Sequence, residues 1–119
     1  MPCALHAADP EQIPNEDDTM YDMKKLARFK RFAELAPKAL EAFQAFDQAA
    51  FAPGAIPLKY KELMAVAVAL TTQCPYCIEI HSDKARKADA TEKELVETTM
   101  IAAALRAGAA MTHGTHTLV

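Results

Sequence analysis

Turn and capping residues divide this chain into segments of helical periodicity, and this division constrains the fold more than any other feature. Pro37, Pro57 and Pro75 each stand where an apolar pattern with helical spacing begins, and proline suits the first turn of a helix. Thr91 and Glu94 form a capping box, which marks a further helix start. Seven prolines and only three glycines among 119 residues leave little material for β-hairpins. The sequence therefore predicts an all-α fold of about five to six helices.

The predicted helices form a single domain behind a polar lead-in. Residues 1–20 contain three prolines and no sustained periodicity, so we expect an extended N-terminal segment there and one domain over 21–119. Gly108 is expected to end the fifth helix or to permit close packing, with a short last helix beginning over 109–111. The first five helices are predicted over about 23–35, 37–50, 58–72, 74–87 and from the Thr91 cap onward.

Glu62 is a lone carboxylate in the third predicted helix, which is apolar around most of its circumference and is therefore expected to be central and buried. Helical geometry places it on one face with positions 58, 66 and 69. Two interpretations remain open. Glu62 is either a buried acid with a partner, or it lies at the solvent edge of the helix beside Lys59 and Lys61.

Charge and composition argue against several classes of function. The net charge is −3 and the basic residues form no long run, so nucleic-acid binding is disfavoured. The first residues lack the pattern of a signal peptide, and no apolar run reaches the roughly 20 residues of a membrane helix. Three cysteines do not make a secreted disulfide framework. We therefore expect a cytoplasmic protein without nucleic-acid or membrane partners, in which a CxxC pair is catalytic or metal-binding.

The densest reactive group is Cys74-Pro75-Tyr76-Cys77, followed by His81. On a helix that begins near Cys74, both thiols and the imidazole share one face. A thioredoxin-type centre is disfavoured because a helical pattern, not a strand, precedes the pair. A zinc site would need further ligands, for which the sequence offers Cys3, His113 or His116. Surface or interface positions are the preferred interpretation of these two histidines.

A peroxide-reducing dithiol is the use that we favour. Cys77 lies one helical turn from His81, and a buried Glu62 would orient that imidazole. The helix dipole favours a thiolate at Cys74, whereas the nearby histidine favours Cys77 as the attacking thiol, and we choose Cys77. Cys74 would then condense with the Cys77 sulfenic acid to form a disulfide, which an external dithiol must reduce.

The spacing of Glu62, the cysteine pair and His81 resembles the alkyl hydroperoxidase D type of the carboxymuconolactone decarboxylase superfamily. The resemblance runs from the Pro53-Gly54 break to the Thr91 capping box, about half of the chain. It implies an all-α fold and a lipoyl-dependent peroxidase without a tightly bound cofactor or metal, reduced by a dihydrolipoamide- or thioredoxin-like dithiol. It also implies a homo-oligomer, such as a hexamer or trimer of dimers. The implied catalytic residues are Glu62 and His81 as proton relay, Cys74 as proton donor and resolving thiol, and Cys77 as the site of the sulfenic acid.

One departure from that pattern concerns Tyr76, which stands where the hydroperoxidase has a second histidine. Tyr76 could serve as an auxiliary hydrogen-bond donor. Two other functions remain open, namely a decarboxylase-type lyase, which needs no redox dithiol, and a non-catalytic metal-binding or redox-sensing oligomer. A phenylalanine stripe is expected in the core or in a subunit interface, and it comprises Phe29, Phe32, Phe43, Phe46 and Phe51.

Overall fold

The computed structural model describes residues 21–119, and within this range the chain forms helices and no strand. This confirms the predicted all-α class. The expected extended segment 1–20 and Cys3 lie outside the described residues. A 3-10 helix over Met23–Arg28 leads into α1, and another over Thr115–Thr117 follows α5. The five α-helices are α1 (Phe29–Leu35), α2 (Pro37–Phe51), α3 (Leu58–Thr72), α4 (Pro75–Lys87) and α5 (Glu92–Gly114).

The starts of α2 to α5 lie where the local sequence places them, whereas the first predicted helix, over 23–35, is a 3-10 helix (Met23–Arg28) followed by an α-helix only from Phe29. Pro37 and Pro75 each occupy the first turn of their helix, where an amide N–H would have no helical partner. The Thr91 hydroxyl accepts a hydrogen bond from the Glu94 amide at 3.1 Å, and the Glu94 carboxylate accepts one from the Thr91 amide at 2.8 Å. The predicted capping box is therefore confirmed. Helix α3 ends where Gln73 adopts a left-handed backbone conformation with φ 55°.

The prediction for Gly108 is wrong. Helix α5 runs without interruption to Gly114, so there is neither a helix end at Gly108 nor a separate last helix over 109–111. Within residues 21–119 no close packing occurs there either, because a Cβ added at Gly108 would meet nothing within 4 Å. A single glycine costs a helix only about 1 kcal/mol relative to alanine. The alanine-rich sequence on both sides of Gly108 is a strong helix former and offsets that cost.

Helix α3 is the central element, since it packs against both α4 and α5. Only part of its circumference is buried, however, and Leu58 on the predicted face is 52% exposed. An ion pair between Lys59 and Glu94, 2.8 Å apart, joins α3 to α5. The buried residues of α3 are Glu62, Leu63, Val66 and Ala69.

The hairpin formed by α1 and α2 differs from the packed helices α3, α4 and α5, because neither helix of the hairpin contains a buried residue. Four phenylalanines of the predicted stripe are 45–72% exposed, so their expected place in a core is wrong for this chain by itself. The radius of gyration is 18.8 Å, compared with about 13 Å for a compact domain of about 100 residues. The exposed members of the stripe are Phe29, Phe32, Phe43 and Phe46.

No helix within residues 21–119 has the length and apolar character that a bilayer crossing requires.

Candidate active site

Helices α3 and α4 pack side by side and bring Glu62 to His81. Oε2 of Glu62 lies 2.6 Å from Nδ1 of His81, and the Glu62 residue is only 3% exposed. The solvent-edge interpretation of Glu62 is therefore wrong. The two lysines beside it point to other partners: Lys59 binds Glu94, and Lys61 donates to main-chain carbonyls at the end of α2.

The contact at Nδ1 determines how the imidazole can act. An ionised carboxylate has no proton to donate, so a hydrogen bond to ionised Glu62 requires the proton to be on Nδ1 of His81. The other ring nitrogen, Nε2, then carries a lone pair and can accept a proton. A buried carboxylate also stabilises the imidazolium that forms when Nε2 is protonated. Glu62 and His81 together have the chemistry of a general base and its orienting acid.

Cys74 and Cys77 are free thiols in the first turn of α4, and both are partly buried. Cys74 is the N-cap residue, and its Sγ accepts a hydrogen bond from the Cys77 amide at 3.3 Å. The hydrogen bond from the Cys77 thiol lowers the pKa of Cys74, and this backbone hydrogen bond lowers it further. The same thiol–thiol hydrogen bond, followed by burial, raises the pKa of Cys77 to about 11. Cys74 is therefore the more acidic thiol of the pair.

His81 follows Cys77 by four residues on α4, the spacing at which side chains are neighbours on one helix face, with Cβ atoms about 5–6 Å apart. Among the hydrogen bonds of the described residues, the imidazole bonds to Glu62 and not directly to either sulfur. His81 and Cys77 are therefore neighbours on α4 without a direct hydrogen bond in this state.

Phe51 is a site residue that the sequence reasoning missed. Its ring stacks on the His81 imidazole with centroids 5.3 Å apart and planes inclined by 14°. Phe51 is the last residue of α2, and Lys61 fastens this helix end by donating to the carbonyls of Ala50, at 3.1 Å, and Ala52, at 2.5 Å. The sequence pattern groups Phe51 with the phenylalanine stripe, and its place just before the Pro53-Gly54 break is the signal that it differs.

Tyr76 contacts the chain that precedes the first helix. Its hydroxyl accepts a hydrogen bond from the Asp22 amide at 3.4 Å, and its ring meets Tyr21 edge-on with centroids 4.8 Å apart. The Tyr21 hydroxyl in turn donates to Glu79 on α4, and this bond raises the pKa of Tyr21 to about 12. Residues 21–22 therefore lie against the turn that carries the cysteine pair.

The C-terminal histidines are exposed and stand apart from this arrangement. The rings of His113 and His116 meet edge-on with centroids 6.0 Å apart. Within residues 21–119, no three or more histidine, cysteine or acidic side chains come together as a metal site would require. Cys3, the remaining candidate zinc ligand, lies outside this range.

Comparison with known proteins places this chain in a family. The model of the carboxymuconolactone decarboxylase family matches residues 37–118. A Paracoccus denitrificans protein described as uncharacterized protein 4 in the cox locus is 46% identical over 78 residues, which cover 66% of this chain and 70% of that protein. An uncharacterized protein of Cupriavidus necator is 36% identical over 70 residues, or 59% of this chain and 62% of that protein.

Two solved structures share the fold. The apo form of a carboxymuconolactone decarboxylase family protein from Legionella pneumophila is 36% identical with a TM-score of 0.65, covering 69% of this chain and 73% of that one. A protein from Methanobacterium thermoautotrophicum is 33% identical with a TM-score of 0.70, covering 74% of this chain and 99% of that one. The family match spans four of the five α-helices, from α2 to α5. The superfamily suggested by the sequence is therefore confirmed, and this chain belongs to the carboxymuconolactone decarboxylase family.

Proposed function

We propose that this protein is a thiol-dependent hydroperoxide reductase of the alkyl hydroperoxidase D-like type. The observation that carries the proposal is the buried Glu62–His81 pair, whose imidazole lies one turn from a free CxxC dithiol. A dithiol alone would serve redox sensing equally well. A dithiol with an oriented base beside it has what a thiol peroxidase needs, namely a nucleophile, a proton acceptor and a resolving thiol.

The first half of the reaction oxidises Cys77. The Cys77 thiol proton passes to Nε2 of His81, directly or through one water, while Glu62 stabilises the imidazolium. The Cys77 sulfur attacks the terminal oxygen of the hydroperoxide, the O–O bond breaks, and Cys77 becomes a sulfenic acid. The departing alkoxide takes the proton from His81 and leaves as an alcohol. His81 is then ready for another cycle.

The second half closes the disulfide. The Cys74 thiolate attacks the Cys77 sulfenic sulfur, the S–O bond breaks, and hydroxide leaves as water with one proton from solvent. The lowered pKa of Cys74 supports this role, because a more acidic thiol supplies the attacking thiolate more readily. A dihydrolipoamide- or thioredoxin-like dithiol then reduces the disulfide by exchange. The sum is one dithiol and one hydroperoxide consumed, and one disulfide, one alcohol and one water formed.

The acidity order of the two thiols also supports a reversed assignment, with Cys74 as the attacking sulfur. The pKa of Cys74 is lowered, whereas the hydrogen bond between the thiols raises the pKa of Cys77 to about 11. We assign the attack to Cys77 because it lies one turn from His81, and a base that removes its proton overcomes the raised pKa during the reaction.

Single-turnover oxidation with one equivalent of hydroperoxide tests both the activity and the assignment. We expect Cys77→Ser to abolish peroxide consumption, and Cys74→Ser to consume one equivalent and stop at a sulfenic acid that dimedone traps. Normal single oxidation in Cys77→Ser would reverse the roles of the thiols. No oxidation of the unaltered protein by any of several hydroperoxides would refute the peroxidase proposal itself.

A lyase acting on a carboxylated lactone is the second candidate, and the Glu62–His81 pair favours it because acid–base chemistry needs no thiol. The Cys74→Ser/Cys77→Ser double variant separates the two functions. Lyase activity would survive in this variant, whereas hydroperoxide reduction would not.

A further inference from the structure

Residues 21–22, which precede the first helix, lie across the start of α4 and are held there at two points. The Tyr21 hydroxyl donates a hydrogen bond to the Glu79 carboxylate, and the Asp22 amide donates one to the Tyr76 hydroxyl at 3.4 Å. The Tyr21 and Tyr76 rings also meet edge-on, with centroids 4.8 Å apart. We call residues 21–22 the strap, because they join two positions of α4 that are about one helical turn apart.

The strap lies on the side of α4 away from the acid–imidazole pair. Glu79 stands two residues from both Cys77 and His81. Positions two apart on a helix point in directions about 200° apart, so the side chain of Glu79 leaves the helix on the opposite side. Tyr21 lines a surface groove together with Pro75 and Glu79. Cys77 therefore faces His81, whereas the strap covers the other flank of the turn.

Cys74 is the thiol next to the strap. It directly precedes Pro75, which lines the same groove as Tyr21, and it is only partly exposed. The pKa of Tyr21 is raised mainly by its hydrogen bond to Glu79, and the charge of the Cys74 thiolate also contributes. Tyr21 therefore lies within electrostatic range of Cys74. The ring that the strap holds, Tyr76, stands between the two cysteines in the chain.

We infer that Tyr21 is a specificity-determining residue of the dithiol: the strap that it anchors shields Cys74 from large reagents and leaves Cys77 as the thiol that a bulky hydroperoxide reaches. This role in the reaction rests on the proposed peroxidase function, whereas the shielding of Cys74 does not. The more acidic of two thiols is the more readily oxidised when both are equally accessible. Restricted access to Cys74 therefore directs oxidation to Cys77, the thiol one turn from His81.

Alkylation of the full chain with a small and a large reagent measures this shielding. Iodoacetamide and a pyrene maleimide are compared at each cysteine by mass spectrometry of the labelled peptides, and each rate is divided by the thiolate fraction taken from its pH profile. We expect Tyr21→Ala to accelerate labelling of Cys74 by the pyrene reagent about tenfold, the factor by which one hydrogen bond to a charged group suppresses opening. Labelling of Cys74 by iodoacetamide, and of Cys77 by either reagent, should hardly change.

Matched variants separate the contacts of the strap. Tyr21→Phe keeps the ring against Tyr76 but loses the hydroxyl, so it should give part of the acceleration, and Glu79→Gln, which keeps an uncharged acceptor, should give less. Tyr60→Ala removes a tyrosine that is 47% exposed on α3 and should leave all rates unchanged. Unchanged labelling of Cys74 in Tyr21→Ala would overturn the inference. So would equal acceleration by both reagents at both cysteines, which would indicate a loosened turn instead of an uncovered thiol.

Oxidation in the Cys77→Ser background tests the role of the strap in the reaction. We expect cumene hydroperoxide to leave Cys74 unoxidised in Cys77→Ser and to oxidise it slowly in Tyr21→Ala/Cys77→Ser, where dimedone traps the sulfenic acid. No trapped product in the double variant, together with faster pyrene labelling of Cys74, would overturn this role. An unaltered protein that no hydroperoxide oxidises would instead refute the proposed function, and the labelling rates would still decide whether the strap shields Cys74.

Discussion

Oε2 of Glu62 and Nδ1 of His81 lie 2.6 Å apart, although the two residues are 19 positions apart in the chain. The pair forms because α3 and α4 pack along their lengths, so a carboxylate in the first half of one helix meets an imidazole in the middle of the next. It is the only acid–imidazole pair among the ion pairs of residues 21–119. The proposed proton relay depends on this contact.

Removing the relay should slow thiol oxidation by about 10²–10⁴-fold, the usual contribution of a positioned general base. We expect this loss for His81→Ala, and a smaller loss for Glu62→Gln, which retains a hydrogen-bonding group but not its charge. Stopped-flow oxidation of the dithiol by a hydroperoxide measures the rate. Unchanged rates together with a large drop in melting temperature would make the pair structural.

The two thiols should titrate far apart, because their hydrogen bond lowers the pKa of Cys74 and raises that of Cys77 to about 11. As pH rises, alkylation by iodoacetamide should therefore begin at Cys74, below the usual cysteine pKa of about 8.5, and reach Cys77 only in strongly alkaline solution. Mass spectrometry of the labelled peptides follows each site.

Replacing either cysteine removes the hydrogen bond between the two thiols, so the pKa of the remaining thiol should move back towards its ordinary value. Cys77→Ala should raise the pKa of Cys74, because it removes the donor that stabilises the thiolate, whereas Cys77→Ser keeps a donor and should raise it less. Cys74→Ala should lower the pKa of Cys77 from about 11. If Cys77 proved the more acidic thiol in the unaltered protein, the assignment of Cys77 as donor and Cys74 as acceptor in their hydrogen bond would be wrong.

Phe51 should act as a positioning residue for His81, because its ring stacks on the imidazole. Phe51→Leu keeps an apolar side chain but removes the aromatic ring, so we expect slower oxidation with a changed pH profile. Phe51→Tyr keeps the ring and should retain the oxidation rate and the pH profile of the unaltered protein. Lys61→Met, which releases the end of α2, should give a partial version of the same effect. A pH profile identical in Phe51→Leu and the unaltered protein would show that the ring has no influence on the imidazole.

The capping box should contribute to stability rather than to chemistry. Thr91→Ala removes the hydroxyl that accepts from the Glu94 amide at 3.1 Å, and losing such a cap costs about 0.5–2 kcal/mol of unfolding free energy. Thr91→Ser keeps the hydroxyl and should cost much less. Chemical denaturation monitored by circular dichroism measures both. An equal loss in the two variants would mean that the threonine methyl group, not the cap, matters.

The local sequence was sufficient to predict most of the helix bounds and the position of the cysteine pair at the start of a helix. Proline at a first turn, a capping box and a helical apolar period act over a few residues, so α3, α4 and the start of α5 lie where these signals placed them. The spacing of Cys77 and His81 follows in the same way from the periodicity of one helix, whereas Cys74 lies just outside that helix as its N-cap residue. The local rule failed at Gly108, because one glycine cannot end a helix whose neighbours strongly favour it.

Tertiary structure decided which side chains of different helices come into contact. The sequence left two positions open for Glu62, and only the packing of α3 on α4 buried it against His81. Phe51 has the same residue type as the exposed phenylalanines of α1 and α2, and only the way α2 ends beside α4 gives it a different role. Such contacts join residues distant in the chain, whereas spacing rules describe only neighbours within a few turns. The helices and their reactive face are thus encoded locally, and the buried acid–imidazole pair and the uncovered hairpin emerge only when the helices pack.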